Sequence, residues 1–323
     1  MKTAAAATAL EQAFAGALLA DSLSMPVHWY YDREALDRDY GPVNRLMAPR
    51  NPHPDSILWR SHYAPAGPDA DILHDQAAYW GQRGVHYHQF LAAGENTLNY
   101  QLSRALHDWV IGQGGYDPDG WLDYYVSLMR TPGWHKDTYV EEVHRGFFAN
   151  RAAGKPLRAC AVKDLHIGAL AQIPALLAAL AVTLPDRPDL WAELTLTHVS
   201  LTHAHPYALS AAHILTQLLL AMSGTEISLE AALEQVASEV VSLRQFRKWR
   251  ELPDREVIGR TLTPACYLPE SLTAALYLVW KYERDPRAGL QANAEVGGDN
   301  CHRGAVVGSL LCCRQPPPFF SVA

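Results

Sequence analysis

Four short stretches carry the residue types from which a polar active site can be built. Near the C-terminus, G-G-D-N-C-H-R-G (297–304) sets an acid, an amide, a thiol, an imidazole and a guanidinium in one row, then runs into the apolar A-V-V-G-S-L-L. G-E-N-T (94–97) places Glu95 and Asn96 just before an apolar stripe. L-T-H-A-H-P (201–206) holds two histidines at i and i+2, and A-D-S-L-S-M-P (20–26) puts Asp21 at the end of an apolar N-terminal segment. Oxygen donors such as Asp21, Glu95, Asn96 and Asp299 suit a hard divalent cation or acid–base work. Cys301 suits a nucleophile or a redox centre, because a helix N-terminus and an adjacent cation, here His302 and Arg303, both favour the thiolate.

Each stretch also has a plainer reading. An acid before a helix is favoured by the helix dipole alone, which covers Glu95. Asp21 suits a solvated acid or loop cap. His203 and His205 suit a polar helix start as well as a metal. Gly297 and Gly298 allow positive φ and a close backbone approach. Cys301 also reads as an inert, half-buried cysteine.

Helices must position these groups. Leu10, Phe14, Ala17 and Leu18 fall on one face of an N-terminal helix closed by Asp21. Leu98, Leu102, Ala105, Leu106, Trp109 and Val110 make a second stripe, capped by Asn96 or Thr97. Residues 121–130 and 138–150 read as helices. Residues 167–182 are apolar on nearly every face and predict a buried helix kinked at Pro174. Pro206 suits a first turn of a helix to Met222. Residues 228–248 predict one amphipathic helix, 269–283 another, and the last helix begins near Asn300. Strand signals are almost absent. The expected fold class is all-α: an orthogonal bundle of ten or more helices in one domain over residues 1–314, with a disordered tail at 315–323. Residues 48–76, rich in proline and histidine, read as a lid or as a disordered insertion.

Composition narrows the function classes. The net charge is −7 with no Lys/Arg block, which gives a nucleic-acid or anionic-membrane partner no electrostatic support. Five cysteines without a C-x-x-C pair favour free thiols in a reducing, cytoplasmic setting. Cys312 and Cys313 read as packing thiols. Glu11 and Gln12 break the apolar core that a signal peptide needs, and no run of 18 uncharged apolar residues suggests a membrane span.

Taken together, in this order, the four stretches resemble the ADP-ribosylglycohydrolase family. A-D-S-L-S matches a G-D-A-L-G-like turn and G-E-N-T-L-N a T-D-D-T-like motif. T-H-A-H-P matches a T-H-x-H-P-like start, and G-G-D-N-C-H-R-G a G-G-D-T-D-T motif. The segments K-D-T-Y and L-H-I-G-A-L also fit. The variant last motif looks most like the branch that contains selenoprotein J and the jellyfish lens crystallins.

The resemblance implies a hydrolase that breaks an N- or O-glycosidic bond of an ADP-ribosyl group, on an ADP-ribosylated protein or a small ADP-ribose derivative. Family members of this kind hold paired Mg²⁺ between the second and last motifs. Carried over residue by residue, Glu95, Asn96 and Asp299 become metal ligands with Asp21 outside them. Glu95, Asp299 and Cys301 become catalytic candidates, and Asn96, Thr97, Gly298, His302 and Arg303 substrate contacts. Trp59, Tyr63 or Tyr87 would stack on adenine. Only two of the four motif acids remain, about −2 of charge in place of −4, so the paired Mg²⁺ site is expected to be weak, single or absent. Two alternatives stay open: a thiol enzyme using Cys301, and a non-catalytic, crystallin-like or ligand-binding protein. The arrangement expected of the site has the carboxylates of Glu95 and Asp299 facing each other.

Overall fold

The structure, a computed structural model, describes residues 2–224 and 226–323. The alanine-rich N-terminus, high in helix propensity, forms helix Lys2–Ser24. Leu10, Ala13, Ala17 and Ala20 are buried along it. It lies against the last helix, Asn300–Cys312, whose thirteen residues are all buried. Small residues make this approach possible. A Cβ on Gly308 would overlap the Gly16 carbonyl, and one on Gly304 would come within 3.0 Å of the Ala20 Cβ. The A-V-V-G-S-L-L run is therefore read by a partner helix as a groove.

Helix Leu98–Gln113 and helix Ile173–Thr183 complete the centre. The latter is buried on almost every face, as its composition predicts. Pro174 starts this helix instead of kinking it: a short 3₁₀ turn, Ile167–Leu170, precedes it and the proline sits in its first turn. There it lacks only an N–H that would have had no helical partner. Among the described residues no strand forms, only isolated bridges. The fold class is all-α.

Other expectations need correction as well. Residues 228–248 form two helices, Leu229–Val236 and Leu243–Trp249, each opened by its own serine position, Ser228 and Ser242. The β-branched pair Val240 and Val241 lies in the turn between them. The tail is held: Leu46 N–H donates to Ser321 O at 2.9 Å and Ala323 N–H to Leu46 O at 2.9 Å. Buried Phe320, with the Arg287 guanidinium 4.3 Å over its ring, anchors it. Of the two readings of residues 48–76, the disordered insertion is overturned: buried His53, Leu58, Ile72 and Leu73 fold the segment down. Helix Pro206–Gly224 is long and apolar enough, by length and composition, to cross a membrane; half of that stretch is buried within the protein, partly against the N-terminal helix.

Candidate active site

The last helix opens from the tight turn at Gly297 and Gly298, where φ is +71° and +65°. A Cβ at Gly298 would overlap the Pro264 carbonyl. The turn is tied to residues 29–30: Trp29 N–H donates to Gly298 O at 2.8 Å and Gly298 N–H to Tyr30 O at 2.7 Å. These bonds set Asp299 and His302 on the wall of a cavity of about 510 Å³, which Trp29, Tyr87, Tyr139 and Glu141 also line. Lys163, Asp164, His166 and His203 line it as well.

His302 lies between two acids. Its Nδ1 is 2.8 Å from Asp299 Oδ1 and its Nε2 is 3.1 Å from Glu141 Oε1. Burial disfavours the imidazolium, but the two carboxylates outweigh it and push His302 well above the usual histidine range. The converse holds for the acids. Burial opposes their ionisation, yet His302 brings Glu141 down to about 2, and His302 with His28 holds Asp299 well below the carboxylate range. The wall is thus an anion–cation–anion row. Glu141 Oε2 and Asp299 Oδ2 are buried and have no hydrogen-bond partner. A bare carboxylate oxygen in such surroundings is unfavourable unless something polar arrives there.

Elsewhere on the lining His166 Nδ1 lies 2.9 Å from Asp164 Oδ1. Burial works against its charge, but the Asp164 carboxylate raises it above the usual value. His203 is lowered by burial to about 4 and is neutral. Trp29, held at φ +58°, packs edge-on to Tyr87 and Tyr139, with ring centroids 4.6 and 5.1 Å away.

The residues singled out by sequence separate into three places. Asp299 and His302 reach the cavity wall, and so do Tyr87 and His203. Asp21, Asn96 and Thr97 close on one another behind it. Asp21 accepts from Thr97 N–H and Asn96 Nδ2 with one oxygen and from Thr97 Oγ1 with the other. Asn96 Oδ1 accepts from Arg104 Nε at 2.9 Å. Glu95 points elsewhere: its carboxylate pairs with Lys136 at 2.7 Å and accepts from Ala92 N–H. It does not line the cavity that Asp299 lines. The expected facing of the two carboxylates is thereby corrected, because Lys136 offers Glu95 a closer cation in a half-exposed setting.

Arg303 is wholly buried, with Nη2 donating to Asn293 O and Gly297 O and Nε to Asn293 Oδ1. Gly298 is spent on its turn. Cys301 is inaccessible, and burial with the nearby Asp21 and Asp299 charges pushes its thiol up, opposite to the direction expected from a helix N-terminus. Within a helix's first turn the dipole effect is small beside the desolvation of a buried thiolate. His205 caps Tyr207 N–H and does not pair with His203. Trp59 lies under the Arg60 and Arg83 guanidiniums, and Tyr63 OH fixes the Asp71 loop.

Sequence reasoning passed over Glu141, Asp164, His166, His28, His88 and Asp137. The segments K-D-T-Y and L-H-I-G-A-L pointed at Asp137 and His166 without a role. Nothing in the spacing singles out Glu141. Among the described residues, two groups lie close enough to hold a metal ion: His28, His88 and Cys301, and His28, Asp299 and His302.

The family model described as ADP-ribosylglycohydrolase matches residues 3–315. No curated protein matches the chain. A solved chain of an ADP-ribosylglycohydrolase-related protein complex is similar with a TM-score of 0.61 and 20% identity, over 96% of this chain and 88% of that one. At that identity the likeness is one of fold.

Proposed function

The chain belongs to the ADP-ribosylglycohydrolase family, and from that premise we propose that it hydrolyses the N- or O-glycosidic bond of an ADP-ribosyl group in the cavity walled by Glu141, His302 and Asp299. The substrate is an ADP-ribosylated protein or a small ADP-ribose derivative. The observation that carries the reading is the pair of ionised carboxylates, each with one oxygen that accepts no hydrogen bond, held apart by a buried imidazolium.

Cleavage at the anomeric carbon passes through an oxocarbenium-like state, whose positive charge a fixed carboxylate stabilises. Asp299, the stronger acid of the two, stays ionised and serves that charge. Glu141 is the more basic and takes a proton from the attacking water as the water oxygen bonds to the anomeric carbon. The bond to the acceptor breaks with its electron pair leaving on nitrogen or oxygen, and His166, charged by Asp164, supplies the proton. Trp29 and Tyr87 offer ring faces and edges to the adenine, and Lys163 offers the diphosphate a cation. Arg303 cannot do so, since its donors are committed to carbonyls and an amide.

Mg²⁺ enters no step. It wants about six oxygens at about 2.0–2.1 Å. At the motif positions Asp21, Glu95 and Asn96 already accept hydrogen bonds, and Cys301 and His302 bring sulfur and nitrogen. Asp299 Oδ2 is the one uncommitted carboxylate oxygen left among those positions.

The test is release of ADP-ribose from arginine- and serine-linked ADP-ribosyl peptides, beside calorimetric binding of ADP-ribose, for the wild type and Glu141→Gln. Release by the wild type alone, with binding in both, supports the reading. Binding without release in either would leave a non-catalytic receptor. Absence of both would remove the proposal.

A further inference from the structure

Behind the first turn of the last helix, His28, His88 and Cys301 form a second polar cluster, and none of these three lines the cavity. His28 and Cys301 are completely buried, and His88 is 4% exposed. Each imidazole has one nitrogen fixed by a buried carboxylate. His88 Nδ1 is 2.6 Å from Asp137 Oδ1, and the other Asp137 oxygen accepts from Leu98 N–H at the start of helix Leu98–Gln113. His28 Nε2 is 2.9 Å from Asp299 Oδ1. The carboxylates place N–H groups on these outer nitrogens. The inner nitrogens, His28 Nδ1 and His88 Nε2, then face each other at 2.7 Å.

Two neutral rings in this arrangement would direct lone pairs at one another. Something positive must sit between them: a third proton shared by the pair, or a metal ion. Cys301 Sγ supplies a further donor, since the ligand atoms of His28, His88 and Cys301 all lie within 4.8 Å of one another. We propose that His28 Nδ1, His88 Nε2 and Cys301 Sγ form a binding site for a borderline-soft divalent cation of the zinc type.

Three features of the cluster support this. The donor set, two imidazoles and a thiol, is the set such cations prefer and Mg²⁺ avoids. Both imidazoles already have the carboxylate partner on the far nitrogen that fixes tautomer and orientation in histidine metal sites. The charge also suits the place: a divalent ion with a thiolate is +1, beside the buried carboxylates of Asp137 and Asp299 that hold the two imidazoles. Zinc–nitrogen bonds of about 2.0–2.1 Å at tetrahedral angles need the inner nitrogens roughly 3.3 Å apart, so a small rotation of the rings admits the ion. The same thiol that burial makes inert without metal becomes a thiolate on coordination.

The site stands independently of the hydrolase reading, since Cys301, His28 and His88 do not touch the cavity. The full chain, freed of metal with a chelator, is titrated with Zn²⁺, Co²⁺ and Mg²⁺ while thermal midpoint and near-ultraviolet absorbance are followed. The expected result is one equivalent of Zn²⁺ that raises the midpoint, a thiolate-to-cobalt charge-transfer band with Co²⁺, and no such response to Mg²⁺. Cys301→Ser should abolish the band, and Asp137→Asn should weaken Zn²⁺ by about 10–100-fold. Glu141→Gln, outside the cluster, should bind Zn²⁺ as the wild type does, so failure of the hydrolase reading and failure of the metal site give different results. Should Cys301→Ser not fold, the wild-type cobalt spectrum decides alone. A wild type without the thiolate band, or Zn²⁺ affinity unchanged in a folded Cys301→Ser, overturns the proposal.

Discussion

The first turn of the last helix divides two polar regions that share one acid. Cys301 and His302 are chain neighbours, about 100° apart around the helix. His302 faces an open cavity and is made cationic by Glu141 and Asp299. Cys301 faces a closed cluster of imidazoles and is kept neutral. Asp299 Oδ1 accepts from both sides, from His28 and from His302. One region thus presents uncommitted oxygen to solvent-sized space, and the other turns nitrogen and sulfur inward. Proximity in sequence says little about chemistry when the helix wall intervenes.

Replacement of the shared acid should strike both regions and gives the largest effect. Asp299→Ala leaves a buried imidazolium without one of its anions, and unfolding free energy should fall by about 3–5 kcal/mol in denaturant melts. Asp299→Asn should lose less. A fall in Asp299→Ala no larger than an ordinary surface change would mean that the two regions do not depend on this carboxylate.

Glu141→Gln separates the regions. Hydrolysis should drop about 10²–10³-fold in kcat with ADP-ribose affinity little changed. Retained turnover would move the catalytic base out of the cavity wall.

A third measurement uses pH. His166 faces Asp164 and Asp299, which raise it, and His302, which opposes them; neutral His203 and the Tyr267 ring also lie near it. Its folded pKa lies above 6.5, so as the proton donor it holds activity below that pKa and loses it as pH rises through it. The stability from the Asp164–His166 pair has the same sign: present in full below the unfolded value, lost through the folded one. His166→Asn should remove this alkaline limb from the rate profile, and a limb that persists would assign it to another group.

The smallest effect belongs to the half-exposed pair. Lys136→Ala should change stability by less than about 1 kcal/mol and leave hydrolysis unaltered, and Glu95→Gln should behave likewise. A tenfold loss of rate in Glu95→Gln would return that acid to the metal-ligand role its motif suggested.

The contrast between Glu95 and Glu141 shows what was legible. Both stand next to helix starts, and Glu95 sits in a recognisable motif while Glu141 does not. Yet Lys136 draws Glu95 outward and His302 draws Glu141 inward. Neither partner is near in sequence, so no local pattern could rank the two. The histidines at 28 and 88 are in the same position: their partners, Asp299 and Asp137, lie far along the chain.

By itself the sequence determined the all-α class and most of the central helices, through apolar periodicity and the proline that opens helix Pro206–Gly224. Those are local properties, set by backbone sterics and by which side of each helix is apolar. It also determined the kinship, carried by the motifs around Asp21, Asn96, His203 and Asp299. The tertiary structure decided which acid meets which cation, and hence every protonation state at the site. Charge at a buried position follows from desolvation and from neighbours within a few Å, and those neighbours are brought together only when distant helices pack.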